Sequence, residues 1–232
     1  MPKLHRKRSL LAKIESSYGS DPTATGSANY VEVVDLEIEP VASDEVEQET
    51  IRPYPGNYPV LLANTRVNVS FGVFMVGSGS AGTAPKYDPI LKACGLSAAT
   101  VSSTSVTYTP STLATQSSVT LYVNYDGVRH KVTGARGTFS ISCAVNEIPR
   151  INTPTDTALP TVTKSLQPDP VLFKNGNTSS FSVFGFSAAL QSWELDFANE
   201  VIYRELVGGT KEALITDRRQ SGSMVIEAVA LS

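Results

Sequence analysis

From Ser117 to Pro149 the chain reads SSVTLYVNYDGVRHKVTGARGTFSISCAVNEIP, and this stretch constrains the fold more than any other. Val119, Leu121, Val123 and Tyr125 alternate with Thr120, Tyr122 and Asn124, the period of two expected of a strand with one buried face. Asp126-Gly127 supplies the positive φ angles of a two-residue hairpin turn. The return strand places Val128, His130 and Val132 inward with Arg129 and Lys131 outward. Gly134 to Gly137 then makes a corner before Phe139, Ile141 and Cys143 resume the alternation. The expectation is an antiparallel meander of three short strands, with no room between them for a catalytic loop.

Strand patterns continue on both sides. Tyr30 to Glu39 puts Val34, Leu36 and Ile38 on one face and Asp35, Glu37 and Glu39 on the other. Arg66 to Val76 aligns Val67, Val69, Phe71, Val73 and Met75, with Phe74 and Val76 covering the second face near its end. Further strands are expected at Thr104 to Tyr108, Ser179 to Phe197, Val201 to Leu206, Ala213 to Thr216 and Ser223 to Ala230. Two helices are expected, a short amphipathic one within Ser9 to Ser17 and one at Asp88 to Cys94, where Pro89 suits the first turn. The fold class is therefore mainly β, with 41% hydrophobic residues to fill a core. Residues 1–29, rich in Gly, Ser, Thr and Pro after Ser17, read as an N-terminal arm. Residues 30–232 read as one β domain with long loops at 40–64 and 152–177. Pro53, Pro55 and Pro59 rule out a central strand in the first of these loops.

A formal net charge of −3 gives the chain no overall basic footprint for gripping nucleic acid. The distribution is uneven. Lys3, Arg6, Lys7, Arg8 and Lys13 crowd the start, while Glu32 to Glu49 holds eight carboxylates and no basic residue. Cys94 and Cys143 are too few and too far apart for a metal knuckle or a disulfide framework, and both read as free thiols. Lys13 and Glu15 interrupt the apolar core that an export signal needs, and no stretch reaches the length of a membrane-spanning helix.

Chemistry-bearing motifs are scarce. Gly77-Ser78-Gly79-Ser80-Ala81-Gly82 fits G-x-G-x-x-G after a strand, but Thr83 to Tyr87 separates the last glycine from the following helix. A dinucleotide site needs that glycine to open the helix directly, within a βαβ unit. A flexible glycine corner is the reading kept. His5 and His130 are the only neutral-pH bases, the first near the terminus and the second on an inward strand position. Cys143 reads as a small buried apolar residue. Asn68-Val69-Ser70 and Asn177-Thr178-Ser179 fit the glycosylation tripeptide without an export signal to support it. No base, nucleophile and orienting group can be placed together, so neither enzyme activity nor a cofactor or metal is expected.

The acidic strand carries more information. Asp35, Glu37 and Glu39 project from one face about 6.8 Å apart. Three readings stand for them: a solvated face, the wall of a negatively charged channel, or a contact for Arg129, Lys131 and Arg136 of a neighbouring copy. A negative wall repels DNA phosphate and suits a conduit rather than a binding groove.

Several segments in succession, KRSLLAKIESSYGSDPTATGSANYVEV, ETIRPYPGN, GSGSAGTAPKYDPILKACG, YVNYDGVRHKVTGARGT and LITDRRQSGSMVIEA, resemble the tail tube proteins of long-tailed, non-contractile bacteriophages, closest to those of Pseudomonas siphophages. The resemblance runs over nearly the whole chain. It implies an antiparallel β-sandwich or barrel-like core with one flanking helix, six copies to a ring, and rings stacked into a hollow tube that conducts the genome from capsid to host. It also implies a virion location after assembly in the host cytoplasm, and partners at the tape measure, the tail terminator and the tail tip. It implies further that viral DNA passes through without specific binding and that no membrane is involved.

One segment departs from the family pattern. Arg150-Ile151-Asn152 runs straight into a turn at Thr153 to Asp156 where a longer apolar strand is expected, so a strand is either missing or diverged. The N-terminal arm and the 40–64 loop are expected to carry ring-to-ring contacts, so that deleting residues 2–28 leaves folded subunits that do not polymerise. Rival readings are a contractile-tail or type VI secretion inner tube subunit, a tail terminator that stops at one ring, and a secreted immunoglobulin-like module.

Overall fold

A computed structural model of the chain describes residues 7–47, 60–112, 115–154, 173, 181–183, 186–187, 189–204 and 212–227. The elements run in order β1 (Arg8–Ile14), α1 (Gly26–Asn29), β2 (Tyr30–Val31), β3 (Val34–Glu47), β4 (Val60–Phe74), α2 (Asp88–Ala93), β5 (Leu96–Val101) and β6 (Ser105–Pro110). They continue with β7 (Val119–Tyr125), β8 (Val128–Ala135), β9 (Ser140–Ala144), β10 (Arg150–Pro154), β11 (Ser182–Val183), β12 (Phe186–Ser187), β13 (Leu190–Asp196), β14 (Asn199–Arg204), β15 (Glu212–Arg218) and β16 (Ser221–Ile226). Among the described residues the fold is mainly β with antiparallel sheets, two short helices and no closed barrel.

Two sheets organise the molecule, a four-stranded one ordered β2-β1-β7-β8 and a six-stranded one ordered β16-β13-β9-β10-β4-β3. They share one apolar core. Leu10, Val31, Leu121 and Val123 from the small sheet join Val69, Phe71, Val73 and Ile151 from the large one, and Ile90, Leu91 and Cys94 around α2 complete it. Each large apolar side chain buried this way contributes about 1.5–3 kcal/mol relative to exposure.

The N-terminal segment overturns an expectation. Arg8–Ile14 is not a helix but the inner strand between β2 and β7, in register from Arg8 opposite Tyr125 to Ile14 opposite Val119. Leu10 faces the shared core while Leu11 packs with Ala24, Tyr30 and Tyr122 on the other side of the sheet. A strand buried on both faces needs consecutive apolar residues, and Leu10, Leu11 and Ile14 imitate a helical stripe only for that reason. Residues 8–14 thus belong to the sheet and not to a free arm, so a deletion of residues 2–28 would remove an inner strand.

The same covering layer explains β7. Thr120 and Tyr122, expected on a solvent face, are as buried as Leu121. Asp126-Gly127 makes the expected turn with φ of 43° and 81°. The meander stops there, however. β9 pairs with β10 and β13 and not with β8, because the chain crosses from one sheet to the other after Ala135. Gly134, at φ 73°, sits so close to Tyr18 that an added Cβ would lie 2.9 Å from its ring, and this contact leaves only glycine at the crossing.

Two loops are also reassigned. Residues 40–47 and 60–64 extend β3 and β4 into a long antiparallel ribbon, paired out to Glu47 opposite Val60. Pro40 is tolerated because β3 is an edge strand, where a missing N–H can face solvent. Pro53, Pro55 and Pro59 lie outside the described residues. After Pro149 no strand is missing: β10 is short but central, bonded to both β9 and β4. Most of the expected 152–177 loop falls outside the described residues. The expected Ser179 to Phe197 strand is divided into β11, β12 and β13, and β5 arises from Ser/Ala/Thr residues whose weak alternation gave no signal.

The glycine corner of residues 77–82 has a structural role. An added Cβ on Gly82, at φ 71°, would come within 2.4 Å of the Ser103 backbone nitrogen and 2.6 Å of the Val101 carbonyl oxygen. Gly82 is there to let the corner touch the β5–β6 turn, and no phosphate site is needed to explain it.

Candidate functional site

The outer face of the six-stranded sheet can be assembled residue by residue from the register. Glu37 lies opposite Ser70 and Glu39 opposite Asn68 on β3 and β4. Asn152 lies opposite both Gly72 and Ser140, while Ser142 faces Glu194 and Ser140 faces Asp196. Because side chains alternate along each strand, their neighbours Ile38, Val69, Ile151, Ile141 and Leu195 point to the core. The free face is therefore rich in serine, asparagine and carboxylate, with Phe74 under Arg150 and Val225 at its edges. Glu37, Glu39, Asn152, Ser142, Glu194 and Asp196 are all exposed.

Asp35 joins this field through a bulge. Its φ of 53° and the register shift between Val34 and Glu37 displace it from regular pairing, and such shifts re-aim side chains at sheet edges. It lines a shallow concavity of about 580 Å³ together with Glu37, Ser70, Ser140, Asn152 and Asp196. Arg150 contacts Asp35 at 3.4 Å at one margin, and Arg66 contacts Asp44 at 3.4 Å at the other. Both pairs are largely exposed and worth little energetically. Asn68 donates to Glu39 at 2.8 Å. The surface carries Asp35, Glu37, Glu39, Glu194 and Asp196 against those two arginines, so its net sign is negative.

The expected basic contacts separate into different environments. Lys131 is engaged within its own chain, 2.7 Å from Asp21. Burial raises the Asp21 pKa, but hydrogen bonds from Lys131, Tyr122 and the Thr23 N–H outweigh it and bring the carboxyl down to about 2. Arg129 lies over the Tyr122 ring at 5.5 Å. Arg136 sits elsewhere, over the Tyr18 ring at 5.0 Å, donating to the Ala213 carbonyl at 2.9 Å. It lines a cleft of about 530 Å³ between β4 and the β14–β15 ribbon. The structure does not bring Arg129, Lys131 and Arg136 onto one patch facing the acidic strand of the same chain.

Sequence reading singled out Asp35, Glu37 and Glu39 but not Glu194, Asp196, Ser140 or Ser142. The Glu-Leu-Asp and Ser-Ile-Ser alternations were visible as half-buried strands. That they share a face with β3 depends on the strand order β13-β9-β10-β4-β3, which joins segments more than 100 residues apart. Two sheet edges complete the description. β16 is exposed along its whole length, SGSMVI, with no charge and no proline. β3 at the opposite edge is bulged and acidic. No protein-family model matches the chain, and no curated protein matches it.

Proposed function

We propose that the chain is a structural subunit of a phage tail tube, forming rings of six that stack into a hollow conduit for the viral genome. The ring number and the partners at the tube ends, namely the tape measure, terminator and tip proteins, come from the sequence resemblance. The observation that carries the reading is the polarity of the six-stranded sheet. Every neighbouring pair in it is antiparallel. With six strands, the two edges β16 and β3 run in opposite directions. Setting β16 of one copy beside β3 of the next, with all copies pointing the same way, continues the antiparallel ladder across the joint. That contact is heterologous and closes into a ring when the rotation permits.

The edges of the four-stranded sheet are protected. β2 spans two residues, and β8 carries Arg129 and Lys131, devices that discourage further pairing. β16 has none of them. The core-facing side of the large sheet is covered by the small sheet and α2, so in this reading the serine and carboxylate face is the one offered to the lumen. A negative, hydrogen-bonding wall keeps DNA phosphates from adhering while remaining wet.

The test is electron microscopy of the purified chain at rising concentration, alongside Val225→Lys on the exposed edge. Tubes of constant diameter from the parent, lost in the variant, support the reading. Isolated rings from the parent favour a terminator, and monodisperse monomers at all concentrations overturn the proposal.

A further inference from the structure

The β14–β15 ribbon forms a sheet of its own and meets the rest of the molecule unequally along its two strands. Val201 and Ile215 stand directly opposite each other on one face, as do Tyr203 and Ala213. Ile215 is 3% exposed, yet Val201 beside it is 36% exposed. A ribbon lying flat on the body would bury both alike. This one is tilted, with β15 seated and β14 raised over the cleft of about 530 Å³.

The attachments follow the same asymmetry. Along β15, side chains take the place of a neighbouring strand. The Ala213 N–H donates to the Tyr18 hydroxyl at 2.5 Å, Arg136 donates to the Ala213 carbonyl at 2.9 Å, and Gln116 donates to the Ile215 carbonyl at 3.2 Å. β14 is pinned at its first residue, where the buried Asn199 amide donates to the carbonyls of Cys94 at 2.7 Å and Gly137 at 3.0 Å. From Glu200 to Arg204 no hydrogen bond ties β14 to the body among the described residues. The pairing register slips between Glu200 and Val201, directly after the pin, and such a bulge lets a strand bend and twist locally.

Across the cleft stands Val67, on the same face of β4 as the core residue Val69, with Arg66 and Asp44 nearby. Val67 is half-buried and Val201 is exposed, so bringing one onto the other removes apolar surface from water. Arg66 and Asp44, paired at 3.4 Å, oppose that movement because it strips water from two charged groups.

We propose that β14 is a hinged flap: it pivots about the capped edge of β15, bends at the bulge after Asn199, and closes the cleft by setting Val201 and Tyr203 against Val67. One surface of the chain then has two states, an open apolar cleft and a covered one. The proposal does not depend on the association of copies, and its test uses the chain as a monomer.

Spin labels are placed on the full chain at Ile202→Cys and Asn68→Cys, and the distance between them is read by pulsed electron paramagnetic resonance in dilute solution. Both positions are exposed, and the native Cys94 and Cys143 are buried and take no label. Two distance populations are expected, and the shorter should fall by about threefold when Val201→Ser removes the apolar contact. A second pair, Thr216→Cys with Asn68→Cys, should give one population because β15 stays seated. A single population from the first pair overturns the proposal, and so does a shorter population that Val201→Ser leaves unchanged. Two populations from both pairs mean that the whole ribbon lifts, which overturns the pivot.

Discussion

Replacing Glu15 by glutamine changes one oxygen to an NH2 group, and the geometry around it dictates the consequence. Glu15 is buried, and its carboxylate accepts four hydrogen bonds. Oε1 takes the Thr120 hydroxyl at 2.6 Å and the Gly134 N–H at 2.7 Å; Oε2 takes the Ser118 hydroxyl at 2.6 Å and the Gly19 N–H at 2.8 Å. The hydroxyls can rotate and accept from an amide, but the two backbone N–H groups cannot. Since each oxygen holds one of them, either orientation of the glutamine amide sets its NH2 against a backbone N–H. An unsatisfied buried donor costs about 1–3 kcal/mol, and the remaining bonds lose their charge assistance. The expected destabilisation is about 2–4 kcal/mol, rising to about 3–5 for Glu15→Ala, which strands all four donors. For a chain of this size each kcal/mol lowers Tm by roughly 2–4 °C. Thermal and urea unfolding should be run at a concentration where the chain is monomeric, because any association raises apparent stability. Glu32→Gln, an exposed control, should stay within about 0.5 kcal/mol of the parent. A Glu15→Gln variant equally close to the parent would refute the argument.

Gly95→Ala should cost about 2–4 kcal/mol in the same unfolding assay. Its φ is 79°, and a Cβ would lie 2.3 Å from Nη2 of Arg218, a side chain that donates from Nη2 to the Gly95 carbonyl at 2.8 Å and from Nε to Asn199 Oδ1 at 2.8 Å. Asp21 predicts an acid response: its carboxyl falls from 3.8 to about 2 on folding, so its contribution is present above the unfolded value and is lost as pH drops from 3.8 towards 2. Asp21→Asn should flatten the stability profile in that window, and an unchanged slope counts against the assignment. Glu37→Lys with Glu194→Lys should leave tubes intact in micrographs but make isolated tubes retain DNA in a salt-dependent way; no retention at low salt argues against a lumenal face.

Local chemistry made some of this architecture legible. Asp126-Gly127 fixes its turn within four residues, and the Val67 to Val73 alternation belongs to one strand, so both could be read directly. Arg8–Ile14 could not, because a strand covered on both sides loses the period of two and its apolar residues then fit a helix equally well. The pairing of β9 was hidden for a different reason. Ser140–Ala144 has the pattern of any half-buried strand, and nothing in it distinguishes β8 as a neighbour from β10 and β13. The acidic strand at residues 35–39 was visible as a charge pattern, whereas the wider face including Ser142, Glu194 and Asp196 exists only once β13, β9 and β10 stand between β16 and β4. Gly82 and Gly134 looked like flexible corners, but each marks a close approach of another part of the chain.

If copies join edge to edge as proposed, the strand number of the large sheet limits how such a chain can vary. One added or lost edge strand would make the two margins run the same way, and a head-to-tail joint between copies would become parallel. Two strands gained or lost together, as a hairpin, restore the alternation. Divergence in this sheet is therefore expected to proceed by whole hairpins, with single-strand changes confined to the smaller sheet and the ribbons outside it.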